Sequence, residues 1–412
     1  MSKLAIEGGT PLRTTPYPPR KQMDKREILA VMELMLDAER GGAFDRYGGI
    51  HVDAYEEEFA RYIGVPHATA CSAGTAAIHT ALGALQLEPF REIISSPITD
   101  PGAVAPILWQ NCIPIFADAD PETMNMSPES LREKISDRTG AIICGHIAGN
   151  PCEMDAIVAV ARAYRIPLIE DCAQAHGAIY DEKLCGSLGD IAAFSLMSGK
   201  HSTAGGQGGM VVCRSEEHFW NAKRFADRGK PFNSEEPGNL FLGNNYRMTE
   251  LEACIGRVQL DKLPAITGSR QQVAEWLAEE IADLQGVHMG KVYEKAKSAY
   301  WFVNLRFEAD KYRVGKDEFA AAVAAEGVPV GASYEAIVPD QYWIRNKRAY
   351  GDSGFPWDAP QYGKEVDYRD CVPGARQAVD NHMRAGIHEG FSEEDTRDIG
   401  RALRKVEQAY LK

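Results

Sequence analysis

The sequence predicts an α/β protein with a mainly parallel sheet, because short apolar runs alternate with helix-forming segments from Pro66 to Cys213. The apolar run at 141–144, the helical composition at 155–164 and the apolar run at 167–170 form one strand, helix and strand unit. Repetition of this unit implies a sheet covered by helices on both faces. Ligands of such sheets gather at the carboxyl ends of the strands.

The rest of the chain has a different pattern and predicts a smaller α+β domain. A chain of 412 residues exceeds the roughly 250–300 residues at which a single core stops growing. We therefore expect a large domain over 1–262 and a small C-terminal domain over 263–412. The segment 335–367 is too long for an ordinary connection, which indicates a functional loop. The elements predicted for the small domain are a helix over 271–284, a strand over 300–307 and an amphipathic helix over 393–410.

Charge and cysteine content restrict the function classes. A formal net charge of -14 argues against a nucleic-acid partner, since phosphate neutralisation needs excess Lys and Arg. The nine cysteines include no Cys-x-x-Cys pair and no zinc-type spacing, so reduced thiols and no metal site are expected. With no apolar stretch near the ~20 residues that cross a bilayer and no export signal, we expect a cytoplasmic protein without membrane contact.

The first candidate site segment is the small-residue turn that begins at Ser72 and opens a helix-forming stretch. Free amides at a helix N-terminus bind anions, and Gly74 followed by Thr75 would let the backbone approach a phosphate closely. A serine-capped helix start without a ligand is the alternative interpretation.

The second segment places Asp171 at the end of a buried-looking strand. A carboxylate there is costly unless it has a cationic partner, and a pyridinium nitrogen would be one. An N-cap acid for the following turn is the alternative.

The third segment runs from Ser195 to Lys200 and on into a glycine-rich turn. A nucleotide-hydrolase phosphate loop is excluded, because Phe194 stands where its first glycine should be and His201 where Ser or Thr would bind magnesium. An exposed turn lysine is the other interpretation of Lys200. Together the three segments provide what pyridoxal 5'-phosphate (PLP) needs: a phosphate cup, an acid for the ring nitrogen and an amine that holds the aldehyde as an imine.

With these motifs the chain resembles the DegT/StrS family of sugar aminotransferases, within the fold-type I PLP enzymes, from Leu4 to Leu263 and more loosely from Ile387 to Val406. The resemblance implies a large domain with a seven-stranded type of sheet and transfer of an amino group from glutamate or glutamine to a keto-sugar or keto-cyclitol. The roles that it implies are cofactor attachment and proton transfer for Lys200, the pyridine nitrogen for Asp171, the ring and its 3'-oxygen for Gln174, and the phosphate for Gly74, Thr75 and Ser195.

A further motif from Gly243 to Ala253 resembles the family signature whose asparagine reaches the phosphate of the neighbouring subunit. The resemblance assigns that role to Asn245 and implies a homodimer with shared active sites. A structured loop before a helix is the alternative interpretation of Asn245 and Arg247.

The chain departs from the family pattern at Asp100, where the family usually carries an aromatic residue that stacks on the cofactor. The glycine run contains Gln207 in place of the common glutamate and lies one residue further from the lysine than usual. Counting from Gly189 selects Lys200, whereas counting back from Gly209 selects His201. With histidine at the position of the lysine, the resemblance implies a PLP-dependent sugar 3-dehydratase instead of an aminotransferase.

A non-catalytic regulatory protein on the same fold is the third possibility, which the retention of Lys200, Asp171 and Gln174 disfavours. The region 332–367 matches the family poorly and is where acceptor specificity is expected. Its cations could contact a phosphorylated acceptor or form a solvated face; these are Arg345, Lys347 and Arg348.

Overall fold

The computed structural model describes residues 3–45, 49–332, 334 and 336–412. Its strands, numbered in chain order, are β1 (His67–Cys71), β2 (Glu92–Ser95), β3 (Ile113–Phe116), β4 (Thr139–Gly145), β5 (Leu168–Asp171), β6 (Ile179–Tyr180), β7 (Lys183–Leu184), β8 (Ile191–Ser195), β9 (Gly209–Cys213), β10 (Val287–Met289), β11 (Ala296–Lys297), β12 (Val303–Phe307), β13 (Val330–Gly331) and β14 (His382–Ala385). Its α-helices are α1 (Lys25–Glu39), α2 (Ile50–Ile63), α3 (Gly74–Ala84), α4 (Ala105–Trp109), α5 (Pro128–Lys134), α6 (Met154–Tyr164), α7 (Glu216–Ala226), α8 (Glu250–Glu280), α9 (Lys316–Ala325), α10 (Tyr342–Arg345), α11 (Pro373–Asp380) and α12 (Glu393–Tyr410).

The large sheet has seven strands in the order β1-β9-β8-β5-β4-β2-β3. Strand β9 runs antiparallel to both of its neighbours, and the pairs from β8 to β3 are parallel. Every residue of β4 is buried, as expected for a parallel strand covered on both faces. The predicted α/β fold with a mainly parallel sheet is confirmed, and the predicted strand at 141–144 lies within β4.

A second sheet, in the order β10-β12-β14-β13, forms with α9 and α12 the core of the C-terminal part. Leu305, Phe319 and Leu403 are fully buried in that core. Helix α12 has the predicted bounds and begins with a capping box at Ser392, in which side chain and backbone satisfy each other's free amides.

Helix α8 is longer than predicted. It begins at a capping box on Thr249 and continues through Pro264 to Glu280, so the helix predicted for 271–284 corresponds to its last third, and residues 281–284 lie beyond its end. The boundary expected at 262 lies inside this helix, and the division into two domains stays a prediction. A proline removes one helical hydrogen bond, which marks a helix end in sequence patterns but does not end this one.

The segment predicted as a functional loop packs against the edge of the large sheet; Glu335 lies outside the described residues. The Tyr362 hydroxyl donates to Glu92 at 3.0 Å, and the hydroxyl of Tyr368, the residue that follows the segment, donates to the Pro114 carbonyl at 2.7 Å. Buried aromatic rings with satisfied hydroxyls tie the segment to β2 and β3. None of the described helices is long and apolar enough to span a membrane.

The register brings the predicted site segments to one edge of the sheet. Cys71, the last residue of β1, and Ser195, the last residue of β8, both lie opposite Gly209. Asp171, the last residue of β5, lies opposite Ala193. The strand ends predicted to carry the chemistry are therefore neighbours.

Candidate active site

The first part of the site is a cup between the start of α3 and the end of β8. A methyl group added at Gly74 would lie 2.5 Å from Cβ and 2.8 Å from Oγ of Ser195, so only glycine permits this approach. The residue before the helix, Ala73, provides no side-chain cap, which leaves the first helical amides available to an anion. Thr75 lies beside the cup, where its Oγ1 would be 2.4 Å from a methyl group added at Gly102.

The second part contains Lys200 and Asp171, whose charges act on each other. Lys200 is 8% exposed, and burial lowers the pKa of its amine below the ordinary value, while the charges of Asp171 and Asp100 oppose this shift. Burial raises the pKa of Asp171, and the Ala173 N–H, which donates to its carboxylate at 3.0 Å, acts in the opposite direction together with the Lys200 charge. A cation on a bound ring would further stabilise the carboxylate form of Asp171.

The backbone of Lys200 is held by the N-terminal arm. Arg20 and Gln22 donate to its carbonyl at 2.8 and 2.9 Å. Arg20 also pairs with Glu389 at 2.8 Å, and Arg270 pairs with the same carboxylate at 3.0 Å. Residues from near both ends of the chain therefore hold the backbone at Lys200. These residues could not be found from the sequence, because they are far from the lysine along the chain.

The amine of Lys200 lies 4.2 Å from the centroid of the Trp301 ring, a distance typical of a cation–π contact. The indole N–H donates to the Gly199 carbonyl at 3.0 Å. From the sequence, Trp301 is only part of a predicted strand, and no short motif around it indicates this contact.

Gln174 lies on the same edge and is buried. Its Oε1 accepts from the Ala148 N–H at 2.8 Å, and its side chain lies close enough to Tyr334 to lower the pKa of that hydroxyl. The charge of Asp171 raises the same pKa, so Gln174, Asp171 and Tyr334 lie near one another. The role of Gln174 at the cofactor ring stays a prediction.

A buried carboxylate supports the strand that ends at Asp171. Glu170 accepts from the backbone amides of Gly186, Leu188 and Gly189 at 2.9, 2.8 and 2.6 Å and from His146 Nε2 at 3.1 Å. These donors saturate the carboxylate. His146, Glu170 and Cys185 approach within 4.8 Å of one another, but the hydrogen bonds already account for the histidine and the acid.

His201 directly follows Lys200 in the sequence. It is fully buried, its Nε2 donates to the Ala299 carbonyl at 3.0 Å, and its ring stacks on His176 at 5.8 Å. Burial lowers its pKa well below the ordinary histidine value. This environment fits a neutral structural histidine.

Asn245 does not join the other predicted residues within the described chain. It is exposed, its Oδ1 accepts from Arg247 Nε at 3.2 Å, and it forms an isolated bridge with Asp227. The preceding Leu242 is 91% exposed. The role of Asn245 in a cofactor site therefore stays a prediction.

The cations of the C-terminal loop lie on its surface. Arg348 pairs with Asp352, and Lys347 lies 4.0 Å from Asp358. Arg345 is exposed. This arrangement favours the solvated face over a phosphate pocket.

The residues present fit PLP. The glycine-only contact between Gly74 and Ser195 and the uncapped start of α3 suit a phosphate group, while the Lys200 amine and the Asp171 carboxylate suit an aldehyde and a ring nitrogen. The fit rests on the donor set that the strand ends bring together.

The chain matches the DegT/DnrJ/EryC1/StrS aminotransferase family over residues 23–404. It is similar to L-glutamine:2-deoxy-scyllo-inosose aminotransferase of Streptomyces fradiae, with 30% identity over 98% of each chain. It is also similar to GDP-perosamine synthase of Escherichia coli O157:H7, with 35% identity over 62% of this chain and 70% of the relative. Among solved structures, the aminotransferase of Psychrobacter cryohalolentis superposes with a TM-score of 0.82 at 28% identity, over 95% of this chain and 98% of the other. The chain therefore belongs to the DegT/DnrJ/EryC1/StrS aminotransferase family and is a PLP-dependent aminotransferase.

Proposed function

We propose that the protein moves the amino group of glutamine or glutamate to the ring ketone of a keto-cyclitol or keto-sugar, with PLP attached to Lys200. The observation that carries this proposal is the buried Lys200 amine within the electrostatic reach of Asp171, on the sheet edge that also carries the cup of Gly74 and Ser195. A lysine, an acid and an anion site converge there, as expected for this cofactor.

Each residue has a distinct task in this proposal. PLP, when bound, supplies the aldehyde that takes up the amino group and a ring that accepts electrons. The lowered pKa of Lys200 increases the fraction of neutral amine, which can take a proton from a donor carbon and return one in the second half of the reaction. Asp171 holds a proton at the ring nitrogen, and Gly74, Thr75 and Ser195 bind the phosphate.

The favoured acceptor is a cyclitol ketone, and a nucleotide-linked keto-sugar is the second candidate. The inosose aminotransferase of Streptomyces fradiae matches along 98% of the chain, whereas the GDP-perosamine synthase match covers 62%. The two paired cations of the C-terminal loop, Lys347 and Arg348, offer little to a diphosphate. The relative's name also favours glutamine as donor.

The environment of His201 supports amino transfer over sugar dehydration. A catalytic base must reach the substrate, but His201 is fully buried and donates to Ala299. The Lys200 amine, in contrast, is within the electrostatic field of Asp171 and Asp100, which makes it the better candidate for the catalytic base. A purely regulatory role would not require a proton-transferring amine at this position.

A homodimer with shared sites completes the proposal. Apolar side chains on one face of α1 are 47% to 59% exposed, which is unusual unless a partner covers them. With Leu242 and Asn245 exposed on the segment before α8, a second subunit could receive both. The exposed residues of α1 are Ile28, Leu29, Met32, Met35 and Leu36.

The transfer is tested with glutamine or glutamate labelled with ¹⁵N at the α-amine, and a keto-cyclitol or a nucleotide-linked keto-sugar as acceptor. The proposal predicts ¹⁵N on the acceptor and a stoichiometric 2-oxo acid, with the cyclitol and glutamine giving the higher kcat/KM. A keto-deoxy product without the label would favour the dehydratase. Absence of transfer to either acceptor class by PLP-loaded protein would contradict the proposal.

The dimer is tested by sedimentation of a Leu29→Glu, Met32→Glu double variant. We expect a monomer with weakened PLP retention, whereas Tyr164→Glu, a control at another exposed apolar position, leaves the dimer intact. A double variant that stays dimeric would exclude α1 as the interface, and a fully active monomer would exclude shared sites.

A further inference from the structure

Asp100 lies in the loop that follows β2. Its side chain cannot provide the aromatic surface against which a flat cofactor ring normally packs. The Asp100 carboxylate is exposed and accepts from the Gly102 N–H at 2.8 Å. Its charge acts on both Lys200 and Asp171. The acid therefore faces the site, and the surface above the ring has to come from elsewhere in the chain.

The structure brings a segment from the C-terminal part of the chain to this place. Two backbone hydrogen bonds of 3.1 and 2.9 Å join residues 97–99 to residues 336–338, and Ile98 forms a bridge with Ile337. This short ladder carries Tyr334 to the side of Asp100, although the two residues are far apart in sequence.

The ring of Tyr334 is held by aromatic packing on one side. It stacks on Phe302 with centroids 5.8 Å apart and 27° between the planes, and meets Trp301 edge to face at 6.4 Å. Tyr334 remains half-buried, so these neighbours do not enclose it. An aromatic ring fixed in this way loses little freedom when it packs against a second flat ring.

Tyr334 lies beside the residues proposed to hold the cofactor ring, because Trp301, which its ring meets, also contacts the Lys200 amine. Burial raises the pKa of Tyr334 to about 12, with a further rise from the charges of Asp100 and Asp171 and an opposing effect of the nearby Gln174 side chain. The hydroxyl therefore stays protonated at neutral pH, and the ring is a neutral surface beside Asp171 and Gln174.

We propose that Tyr334 packs against one face of the PLP ring in place of the side chain at position 100, which leaves Asp100 free to face the acceptor. The inference rests on the proposed function. Trp301 does not fit this role, because its ring takes the Lys200 amine and its N–H is bound to Gly199. Tyr334 is thus a cofactor-binding residue contributed by the C-terminal part of the chain.

The test measures the dissociation constant of PLP and the visible circular dichroism of the bound cofactor for four variants. Tyr334→Phe keeps the ring and is expected to bind PLP within about twofold of the wild type, whereas Tyr334→Leu keeps apolar bulk and is expected to bind about tenfold more weakly. The visible circular dichroism band of bound PLP should also be weaker in Tyr334→Leu than in the wild type. Asp100→Phe in the Tyr334→Leu background should recover much of the affinity, and Tyr342→Ala, at an exposed tyrosine of the same region, should change nothing.

Equal affinity and equal dichroism of Tyr334→Leu and Tyr334→Phe would overturn the inference, as would a failure of Asp100→Phe to restore binding in folded protein. Thermal melting of the PLP-free variants verifies folding. Failure of the proposed function has a different signature: the wild type itself then shows no PLP bound through Lys200, which overturns both proposals. Wild-type binding through Lys200 with no effect at Tyr334 overturns the inference alone.

Discussion

Gly74 and Ser195 approach each other so closely that a methyl group on Gly74 would lie 2.5 Å from the Ser195 Cβ. This contact joins the start of α3 to the end of β8 and shapes the proposed phosphate cup. Any side chain at position 74 must displace the serine or the helix start, since real Cβ atoms essentially never show such contacts.

Gly74→Ala is therefore expected to weaken PLP binding about 10- to 100-fold, the range that corresponds to overpacking a closed site. Titration of PLP-free protein with PLP measures the effect. Gly268→Ala is the matched control, because a methyl group there meets nothing within 4 Å. If Gly74→Ala binds PLP with unchanged affinity, the cup between Gly74 and Ser195 is not the phosphate site.

Asp171→Asn is expected to lower the pKa of Lys200 further, because the Asp171 charge is one of the two that raise it. In PLP-free protein, the rate of acylation of Lys200 as a function of pH reports this shift. The pH at which the amine becomes reactive should move down in the variant. A move upward would contradict the electrostatic coupling of the two residues.

The same variant should lower kcat by about 100-fold or more, the usual effect of removing a preorganised electrostatic partner, while much of the cofactor stays bound. Asp155→Asn, at an acid that pairs with Lys295 away from the site, is the control. Equal kcat values for the two variants would argue against a role of Asp171 at the ring nitrogen.

His201→Gln should keep kcat within about threefold of the wild type, because the proposed mechanism gives the buried histidine no proton to transfer. The glutamine amide can still donate to the Ala299 carbonyl, so a modest loss of stability is expected. Turnover and product identity, measured with labelled donor, check this. A folded variant without activity would revive the dehydratase interpretation.

Glu170→Gln should lower the free energy of unfolding by about 2–4 kcal/mol. The amide replaces one acceptor oxygen by a donor that faces the amides of the 186–189 turn and His146. Urea unfolding of PLP-free protein gives the value, with the exposed Glu133→Gln as control. A difference below about 0.5 kcal/mol would mean that the carboxylate does not support the strand end.

The sequence predicted the segments whose positions follow from the sheet alone. Gly74, Asp171 and Ser195 each come at a strand end, and the parallel arrangement brings such ends to one edge. Sequence spacing left Lys200 and His201 as alternatives, because the path of the glycine-rich turn depends on tertiary packing. Their surroundings favour Lys200, because His201 donates to the Ala299 carbonyl whereas the Lys200 amine is within the field of Asp171 and Asp100.

The remaining contacts could not be predicted from local patterns. Arg20, Trp301 and Tyr334 reach the site from the N-terminal arm and the C-terminal part, through pairings between residues more than 100 positions apart. Neither hydrophobic periodicity nor a short motif records such pairings. The helix predicted to begin at 271 begins at Glu250 for a related reason, since the packing of α8 tolerates Pro264, a residue that would end an isolated helix.

The most direct test of the account is to reduce the PLP-loaded protein with borohydride, digest it and find the modified residue by mass spectrometry. We expect a reduced cofactor on the peptide that contains Lys200, and no such adduct in Lys200→Ala protein that still folds. An adduct on a different lysine, or amino transfer by protein that carries no adduct, would contradict it.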